Sequence, residues 1–157
     1  MLRTLIAAAV SSAALALGAG GAFAQKAQFG TAAEAKVMEE RAILELKASE
    51  TAALAKFNAP SGEFKDRDLY VFCYNTATGL FNAHPNPALM GKDVRTLKEK
   101  DGSPFGQKIF DTVNAAAEGT IVTVGYNFPK PNTTNPVPKE SFVAKIGNEA
   151  CGVGYYK

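Results

Sequence analysis

The order of apolar and polar residues along the chain separates a helical first part from a mainly extended second part. In residues 31–47 the apolar positions recur at steps of three and four, which predicts an amphipathic helix. These positions are Ala35, Met38, Ala42 and Leu46. A shorter helix is predicted from an N-cap at Ser49 to Phe57. Pro60 and Gly62 then end the helical part, because both residues are poor helix continuations.

The pattern changes to that of β-strands from residue 68 onward. Residues 69–74 are β-branched and aromatic on both faces, which is typical of a central strand covered on both sides. A turn follows, and residues 80–84 are predicted to return as a second strand. Pro85 and Pro87 end that strand, because proline cannot donate a hydrogen bond to a β-ladder.

A third helix is predicted within the second part of the chain. Residues 88–100 are expected to form a loop with a short helical piece. Ser103 is the predicted N-cap of the helix that follows, with Pro104 at its first position. Its apolar face consists of Phe105, Ile109, Phe110 and Val113. Gly119 follows the end of this helix.

Three further strands are predicted over residues 119–127, 141–146 and 150–156. The proline-rich run 129–138 between the first two is predicted to be a long hairpin connection that is stiff near its prolines. Gly147-Asn148 indicates a tight turn between the last two strands. Together these elements predict an α+β domain, in which a five-stranded antiparallel sheet carries a helix on one face.

The first 24 residues have the pattern of a secretory signal peptide. Arg3 supplies a short basic region, an uncharged apolar run follows, and Ala22-Phe23-Ala24 is an A-x-A cleavage site. A retained membrane anchor is the alternative, because the apolar stretch reaches the roughly 20 residues that a transmembrane helix needs. Its Ala, Gly and Ser residues contribute little transfer free energy, however, and no positive cluster follows. We expect cleavage near Ala24, which makes residues 1–24 the signal peptide and residues 25–157 the mature domain.

Composition indicates that the mature chain is one exported globular domain. Of 157 residues, 133 remain after removal of the signal, which is enough for a domain with its own core. The formal net charge falls from +2 to +1 with the loss of Arg3. The lysines are dispersed among acidic residues, so no nucleic-acid partner is expected. No second apolar run is long enough to span a bilayer. We therefore expect no membrane span after cleavage, and a location in the periplasm or outside the cell.

Cys73 and Cys151 both lie in the part of the chain that is expected to be exported. In an oxidising compartment an even number of cysteines makes a disulfide the first expectation. Two buried free thiols are the alternative, because both residues lie in apolar strand-like runs. A metal site is disfavoured, since the chain has no C-x-x-C motif and its single histidine, His84, has no usual ligand spacing to either cysteine.

Catalytic chemistry has few candidate residues in this sequence. There is no G-x-S-x-G motif, no glycine-rich phosphate loop and no pair of histidines. His84 is the one imidazole base, and the sequence offers no residue to orient it and no nucleophile for it to serve. We therefore predict that the protein is not an enzyme and that it uses no cofactor.

Residues suited to binding a small molecule are more numerous. The candidate ligand-binding residues are Tyr70, Phe72, Tyr74, His84, Tyr126 and Lys145. The first three alternate along one strand and therefore share a face. A small carboxylate needs an apolar wall, a cation or neutral donor, and hydroxyl donors, and this set contains all of them. The alternatives are core packing for the aromatic residues, a cap on the proline-containing loop for His84, and a solvated position for Lys145.

Five blocks of the sequence follow one another in a recognisable order. They are DLYVF at 68–72, AHPNPALMGKD at 83–93, KDG at 100–102, PVPKESFV at 136–143 and GVGYY at 152–156. Together they resemble the single Cache domain, the extracytoplasmic PAS-like sensor module of bacterial receptors. The similarity covers about residues 31–157, which is essentially the whole mature chain.

The resemblance implies a long N-terminal helix, a five-stranded antiparallel PAS-like sheet, and a pocket between the sheet and a helical loop. Members of the family commonly recognise small organic acids and pass the signal through a transmembrane helix. This sequence stops at Lys157, where a receptor would enter its second membrane helix. We therefore expect a stand-alone secreted sensor for a small organic acid or similar metabolite, acting with a separate membrane signalling partner. A non-catalytic structural or protein-interaction module with a filled pocket is the alternative function.

The two cysteines depart from the family pattern. Cys73 and Cys151 stand in the first and last strands, where the family usually has aliphatic or small residues. The sheet order of the family makes these strands neighbours. The resemblance therefore implies that a cross-strand disulfide is feasible, which requires Cα atoms roughly 4.4–6.8 Å apart.

Overall fold

The computed structural model describes residues 27–157, in which helices pack on both faces of an antiparallel sheet. The predicted signal peptide, residues 1–24, lies outside the described residues. The helices are α1 (Ala32–Ala48), α2 (Glu50–Phe57) and α3 (Phe105–Ala115), which confirm the three predicted helices. No helix within residues 27–157 is long and apolar enough to cross a membrane.

A side-chain cap begins α1, and the Ser49 backbone amide, which donates to the Glu45 carbonyl, ends it. The Glu34 amide donates to the Thr31 hydroxyl at 3.2 Å, and the Thr31 amide donates to the Glu34 carboxylate at 2.8 Å. This reciprocal capping box satisfies amide groups that the start of a helix leaves unpaired. At the other end the Ser49 hydroxyl accepts from the Ala52 amide and caps α2, as the sequence predicts. One residue with an extended backbone, Ser49, therefore separates the two helices.

In the described part of the chain, six antiparallel strands form one sheet in the order β1-β2-β6-β5-β4, with β3 also paired to β2. They are β1 (Lys65–Asp66), β2 (Leu69–Asn75), β3 (Phe81–Ala83), β4 (Val122–Pro129), β5 (Pro136–Ile146) and β6 (Glu149–Tyr156). The first has only two residues, so five strands make up the body of the sheet. The structure confirms the predicted α+β class, with an N-terminal helix packed on a five-stranded antiparallel PAS-like sheet and a further helix, α3.

The proline-rich loop between β4 and β5 is shorter than the sequence predicts. The two strands stay paired as far as Pro129 and Pro136, so residues 130–135 alone connect them. The pairing of β5 with β6 begins only at Lys139. At Pro136, β5 therefore has β4 as its single neighbour, and the missing N–H removes no hydrogen bond on the unpaired side. The prediction of a connection over residues 129–138 is wrong in its extent for this reason.

The start of α3 and the end of β3 also differ from the prediction. Pro104 rather than Ser103 occupies the N-cap, and no side chain caps the helix. Ser103 is held in a turn instead, where its amide donates to the Asp101 carboxylate at 2.9 Å. The strand β3 ends at Ala83, so His84 follows the strand and does not belong to it.

Each face of the sheet buries its own apolar core. The residues of β2 alternate between the two: Leu69, Val71 and Cys73 face α1 and α2, whereas Tyr70, Phe72 and Tyr74 face α3. All six residues are buried. This confirms that the strand is covered on both sides and that its three aromatic residues share a face. The core on the α3 side is rich in aromatic rings, and the candidate site lies there.

A disulfide joins the two central strands. Cys73 of β2 and Cys151 of β6 are directly opposite each other in the ladder, with Cα atoms 4.1 Å apart, and their sulfur atoms are bonded. Both residues lie in the core on the α1 side. The predicted disulfide is confirmed.

Removal of this disulfide should lower the stability of the domain. The bond joins residues separated by 78 positions, and in the chain-entropy model a loop of that size contributes about 4 kcal/mol. We expect Cys73→Ala/Cys151→Ala to lower the free energy of unfolding by about 2–5 kcal/mol, measured by denaturant titration. Wild-type protein in strong reductant is the matched control and should lose a similar amount. A double variant with the wild-type midpoint would contradict this prediction.

Candidate ligand site

A small cavity lies between the sheet and α3, on the aromatic side of the sheet. It is lined by Tyr70, Phe72, Phe81, His84, Leu89, Val94, Leu97, Phe105, Ile109, Tyr126 and Phe128. About 20 Å³ of the cavity is open to the centre of a water molecule, which is room for a single water. The wall is therefore mainly apolar, with a few side chains that can form hydrogen bonds.

Lys139 of β5 places a buried ammonium group against Tyr70, behind the wall of this cavity, without lining the cavity itself. The residue is 2% exposed, and its Nζ donates a hydrogen bond to Tyr70 Oη at 3.0 Å. Three aromatic rings surround the nitrogen, with centroids at 4.5 Å for Tyr70, 4.7 Å for Tyr156 and 5.3 Å for Phe128. The face of an aromatic ring attracts a cation, and the attraction is stronger where water is excluded. The rings therefore hold the ammonium group in place without neutralising it.

Burial controls the charge of Lys139. Removal from water lowers its pKa to about 7, and the nearby Asp68 carboxylate opposes this shift. Asp68 is itself buried, and its Oδ1 accepts a hydrogen bond from the Gly30 amide at 2.6 Å. Its Oδ2 has no hydrogen-bond partner among the described residues. At neutral pH the site thus contains a lysine that is close to the midpoint of its titration.

His84 lies between the cavity and the loop that follows β3. Its ring centroid is 5.3 Å from that of Tyr70 and 5.6 Å from that of Phe81. The Asn86 amide donates to His84 Nδ1 at 2.9 Å, so the neutral ring carries its proton on Nε2. Burial, and then the charge of Lys139, lower the pKa of His84 to about 4. The imidazole is therefore uncharged at neutral pH, lines the cavity and also caps the proline-containing loop.

Tyr126 of β4 contributes a second hydroxyl group to the wall. Its Oη and the Ser141 Oγ are 2.7 Å apart and share a hydrogen bond, and its ring stacks on Phe105 with centroids 4.8 Å apart. Burial raises the pKa of Tyr126 to about 12. The hydroxyl group therefore stays protonated at neutral pH and can donate a hydrogen bond.

The structure brings four of the six sequence-predicted ligand residues to the cavity, namely Tyr70, Phe72, His84 and Tyr126. Tyr74 shares their face of the sheet but packs farther along β2, with its ring 5.8 Å from Phe110. Lys145 lies near the C-terminal end of β5, where its Nζ donates to the Asn114 carbonyl at 3.1 Å. Neither residue lines the cavity, because the rise of the strand carries it away from the other four.

Sequence reasoning misses Lys139 because it starts the fourth long strand too late. The predicted strand begins at residue 141, whereas β5 begins at Pro136. Over the longer strand, residues 139, 141, 143 and 145 alternate onto one face of the sheet. Ser141 and Val143 are buried on that face together with Lys139. This alternation is the sequence signal that identifies Lys139 as a cation of the site.

Two surface grooves approach the cavity from outside. One has a volume of about 600 Å³ and passes Arg67, and the other has about 470 Å³ and passes Phe57 and Met90. Tyr70 and His84 line both grooves as well as the inner cavity. These two side chains therefore lie between the cavity and both grooves.

The arrangement is suited to binding an anion. The partner of His84 is a backbone amide, and its ring neighbours are Tyr70 and Phe81 rather than a nucleophile. Within residues 27–157, no three His, Cys, Asp or Glu side chains are grouped so that they could hold a metal ion. A buried ammonium group beside neutral hydroxyl and imidazole donors is the chemistry by which proteins recognise carboxylates.

Comparison with known proteins finds one family and several solved structures that are similar to this chain. The profile of the family described as Single Cache domain 2 matches residues 15–155. A structure described as "Structural basis for carboxylic acid recognition by a Cache chemosensory domain" is 23% identical, covers 79% of this chain and 91% of its own, and has a TM-score of 0.63. No curated protein sequence matches significantly.

Two further structures share the fold. The periplasmic sensor domain of a chemotaxis protein is 26% identical, with 78% of this chain and 87% of its own covered and a TM-score of 0.58. A methyl-accepting chemotaxis protein from Vibrio parahaemolyticus RIMD 2210633 is 22% identical, with 77% and 82% covered and a TM-score of 0.58. These proteins have the same arrangement of helices on an antiparallel sheet.

The burial of Lys139 should make the domain more stable at alkaline pH. Because folding lowers its pKa to about 7, the unfolded chain binds more protons than the native state from there up to the ordinary lysine pKa of about 10.4. The free energy of unfolding should therefore rise with pH in this window. We expect Lys139→Met to raise that free energy by about 1–4 kcal/mol at pH 7, with a gain that shrinks toward pH 10. Denaturant titrations at several pH values check this, and a gain that does not change with pH would contradict it.

Proposed function

The chain belongs to the single Cache domain 2 family, and from this membership we propose that it is an exported sensor domain that binds a small carboxylate. Cache domains are extracytoplasmic sensor domains, and the family is non-catalytic, which agrees with the prediction that the protein is not an enzyme. One observation carries the proposal. The buried ammonium group of Lys139 donates a hydrogen bond to Tyr70, a neutral residue that lines the apolar cavity.

The charge of the site favours an anionic ligand over a neutral or cationic one. Burial of an ammonium group is unfavourable unless the charge is paired. A carboxylate beside Lys139 would supply that pairing together with a short charge-assisted hydrogen bond. Tyr126 and His84 offer neutral donors on the cavity wall, and neither would repel an anion at neutral pH. A cationic ligand would meet a like charge.

The wall of the cavity limits the ligand to a small molecule. Leu89, Leu97 and Ile109 give it an aliphatic side that suits a short alkyl chain. With about 20 Å³ of free volume, even a short-chain carboxylate requires side chains to move. Tyr70 and His84 are placed to do so, because they separate the cavity from the outer grooves. The Cache structure described as recognising carboxylic acid supports the same class of ligand.

A domain whose pocket is permanently filled is the second candidate function. The same small volume favours this alternative, in which the fold serves as a structural or protein-interaction module. The two functions make opposite predictions for Lys139. In a filled module, replacement of Lys139 changes stability only, whereas in a sensor it also removes the response to an anion.

We further propose that the domain is released from the membrane and acts with a separate membrane signalling partner. The Ala22-Phe23-Ala24 pattern supports cleavage of residues 1–24. Release would make the mature domain a diffusible ligand-binding protein. The partner would then be a membrane protein that distinguishes the ligand-bound domain from the empty one.

Binding of a short-chain carboxylate should stabilise the domain, and the affinity should weaken as pH rises. At about 100 Kd, acetate or propionate should add about 2.7 kcal/mol to the free energy of unfolding. Lys139 loses its proton as pH rises through about 7, so the affinity should then fall by up to about tenfold per pH unit. His84 and Tyr126 keep one protonation state over this range. Calorimetric titrations at pH 6, 7 and 8 measure the effect.

Matched lysine variants separate binding from a general electrostatic effect. Lys139→Met should remove binding, because it deletes the ammonium group beside the cavity. Lys145→Met should leave the affinity unchanged, since this lysine lies about 20 Å farther along the strand. If no short-chain carboxylate shifts the melting temperature of the wild-type protein, the filled-module function is favoured instead.

Cleavage of the signal should give a mature protein that begins at Gln25. The A-x-A pattern ends at Ala24, and signal peptidase cuts after that small residue. Intact-mass measurement on protein recovered from the periplasm of the expressing cell checks the position. Protein that keeps residues 1–24 and sediments with membranes would show that the domain is anchored instead.

A further inference from the structure

Two glycines of β6 lie on the face of the sheet that carries the candidate site. Gly152 and Gly154 alternate with Val153, which belongs to the core on the opposite face. A glycine inside a strand weakens it and commonly marks a place where another group comes close to the backbone. The two positions therefore raise the question of which group each one accommodates.

The space beside Gly152 is filled by the neighbouring strand β5 and by the ring of Phe72. A Cβ at this position would lie 2.8 Å from the Phe142 carbonyl oxygen, 2.8 Å from Val143 Cγ2 and 2.9 Å from Phe72 Cζ. The carbonyl oxygen belongs to the neighbouring strand and cannot move without disturbing the ladder. The absence of a side chain at Gly152 is thus a requirement of packing.

Gly154 accommodates Lys139 instead. A Cβ there would lie 2.3 Å from Lys139 Cε, 3.2 Å from Lys139 Nζ and 2.6 Å from Ser141 Oγ. The lysine side chain therefore runs across the bare backbone of Gly154 to reach the three aromatic rings. All the colliding atoms are the ends of side chains, which can turn away, so a larger residue would move them and leave the backbone in place.

We propose that Gly154 is a positioning residue of the ligand site, whose missing side chain lets Lys139 hold its ammonium group beside the cavity. The inference rests on the proposed function and deepens it, because it names what fixes the anion-binding group. The same Cβ would also displace Ser141 Oγ, which shares a hydrogen bond with Tyr126 Oη. A side chain at position 154 would thus disturb both a cation and a hydroxyl donor of the site.

Displacement of Lys139 should affect binding much more than folding. The buried ammonium group has one neutral hydrogen-bond partner, and it regains hydration if it is pushed outward. The free energy of folding should therefore change little when the Lys139 ammonium group moves. Ligand binding does depend on it, because a charge-assisted hydrogen bond weakens steeply when its donor moves out of reach.

Three glycine-to-alanine variants of the full chain provide the main test. Gly154→Ala should lower the affinity for acetate at pH 6 by about tenfold or more, with little change in melting temperature. Gly125→Ala is the matched control: its Cβ would make only an ordinary contact with Glu140 Cγ at 3.7 Å, so affinity and stability should both be unchanged. Gly152→Ala should lower the melting temperature, because its Cβ meets a carbonyl oxygen.

A second readout follows the position of Lys139 directly. In protein with isotope-labelled lysine, the Lys139 Cε resonance is assigned by its absence from Lys139→Met. In the wild type it should titrate near neutral pH, and in Gly154→Ala it should titrate closer to the ordinary lysine value of about 10.4, because the ammonium group regains water. If Gly154→Ala keeps the wild-type acetate affinity and the wild-type titration, the inference is overturned.

Failure of the proposed function is distinguishable from failure of this inference. If wild-type protein binds neither acetate nor propionate, the ligand class is wrong, and the lysine resonance alone decides whether Gly154 positions Lys139. If Gly154→Ala fails to fold, it is combined with Lys139→Ala in a background that also carries Ser141→Ala, so that neither Lys139 Cε nor Ser141 Oγ remains to collide. Recovery of folding in the triple variant supports the inference, and continued unfolding contradicts it.

Discussion

The pairing of β2 with β6 at the centre of the sheet is the interaction on which the rest of the structure depends. In this register Cys73 is opposite Cys151, and Phe72 is opposite Gly152. Because successive residues of a strand point to opposite faces, the first pair cross-links the sheet on the α1 side, while the second leaves space for aromatic rings on the α3 side. A shift of one residue would exchange the two faces. The disulfide thus fixes, from the opposite face, the strand register on which the candidate site is built.

The ammonium group of Lys139 destabilises the empty domain, and in the proposed function this burial would make the domain sensitive to an anion. Its burial is unfavourable because the charge has lost most of its hydration. The rings of Tyr70, Phe128 and Tyr156 offset part of this loss but leave the charge unpaired. Under the proposed function, a carboxylate that pairs with it would recover the remainder, so the cost of burial would become a driving force for binding. An apolar residue at this position would give a more stable domain without that response.

The helices and the aromatic face of β2 could be predicted because each depends on a local period of the sequence. The extent of β5 could not be predicted in the same way, since the effect of Pro136 depends on which edge of the strand is paired. Because the predicted strand begins at residue 141 and β5 begins at Pro136, sequence reasoning overlooks Lys139 and takes Lys145 as the cation of the site. The volume of the cavity is also beyond sequence reasoning. It depends on how the rings and aliphatic side chains interlock, which residue types alone do not specify.

Asp68 connects the ligand site with the start of α1 through a single carboxylate group. One oxygen holds the Gly30 amide at 2.6 Å, immediately before the Thr31 cap of the helix. The same carboxylate raises the pKa of Lys139 against the effect of burial. Under the proposed function, an anion beside Lys139 would act on the same cation that the Asp68 carboxylate favours, so the charge of the site and the anchoring of α1 share one carboxylate. If anion binding strengthens or weakens the Asp68–Gly30 hydrogen bond, thermodynamic linkage requires that a change in this bond alter the affinity for the anion by the same factor.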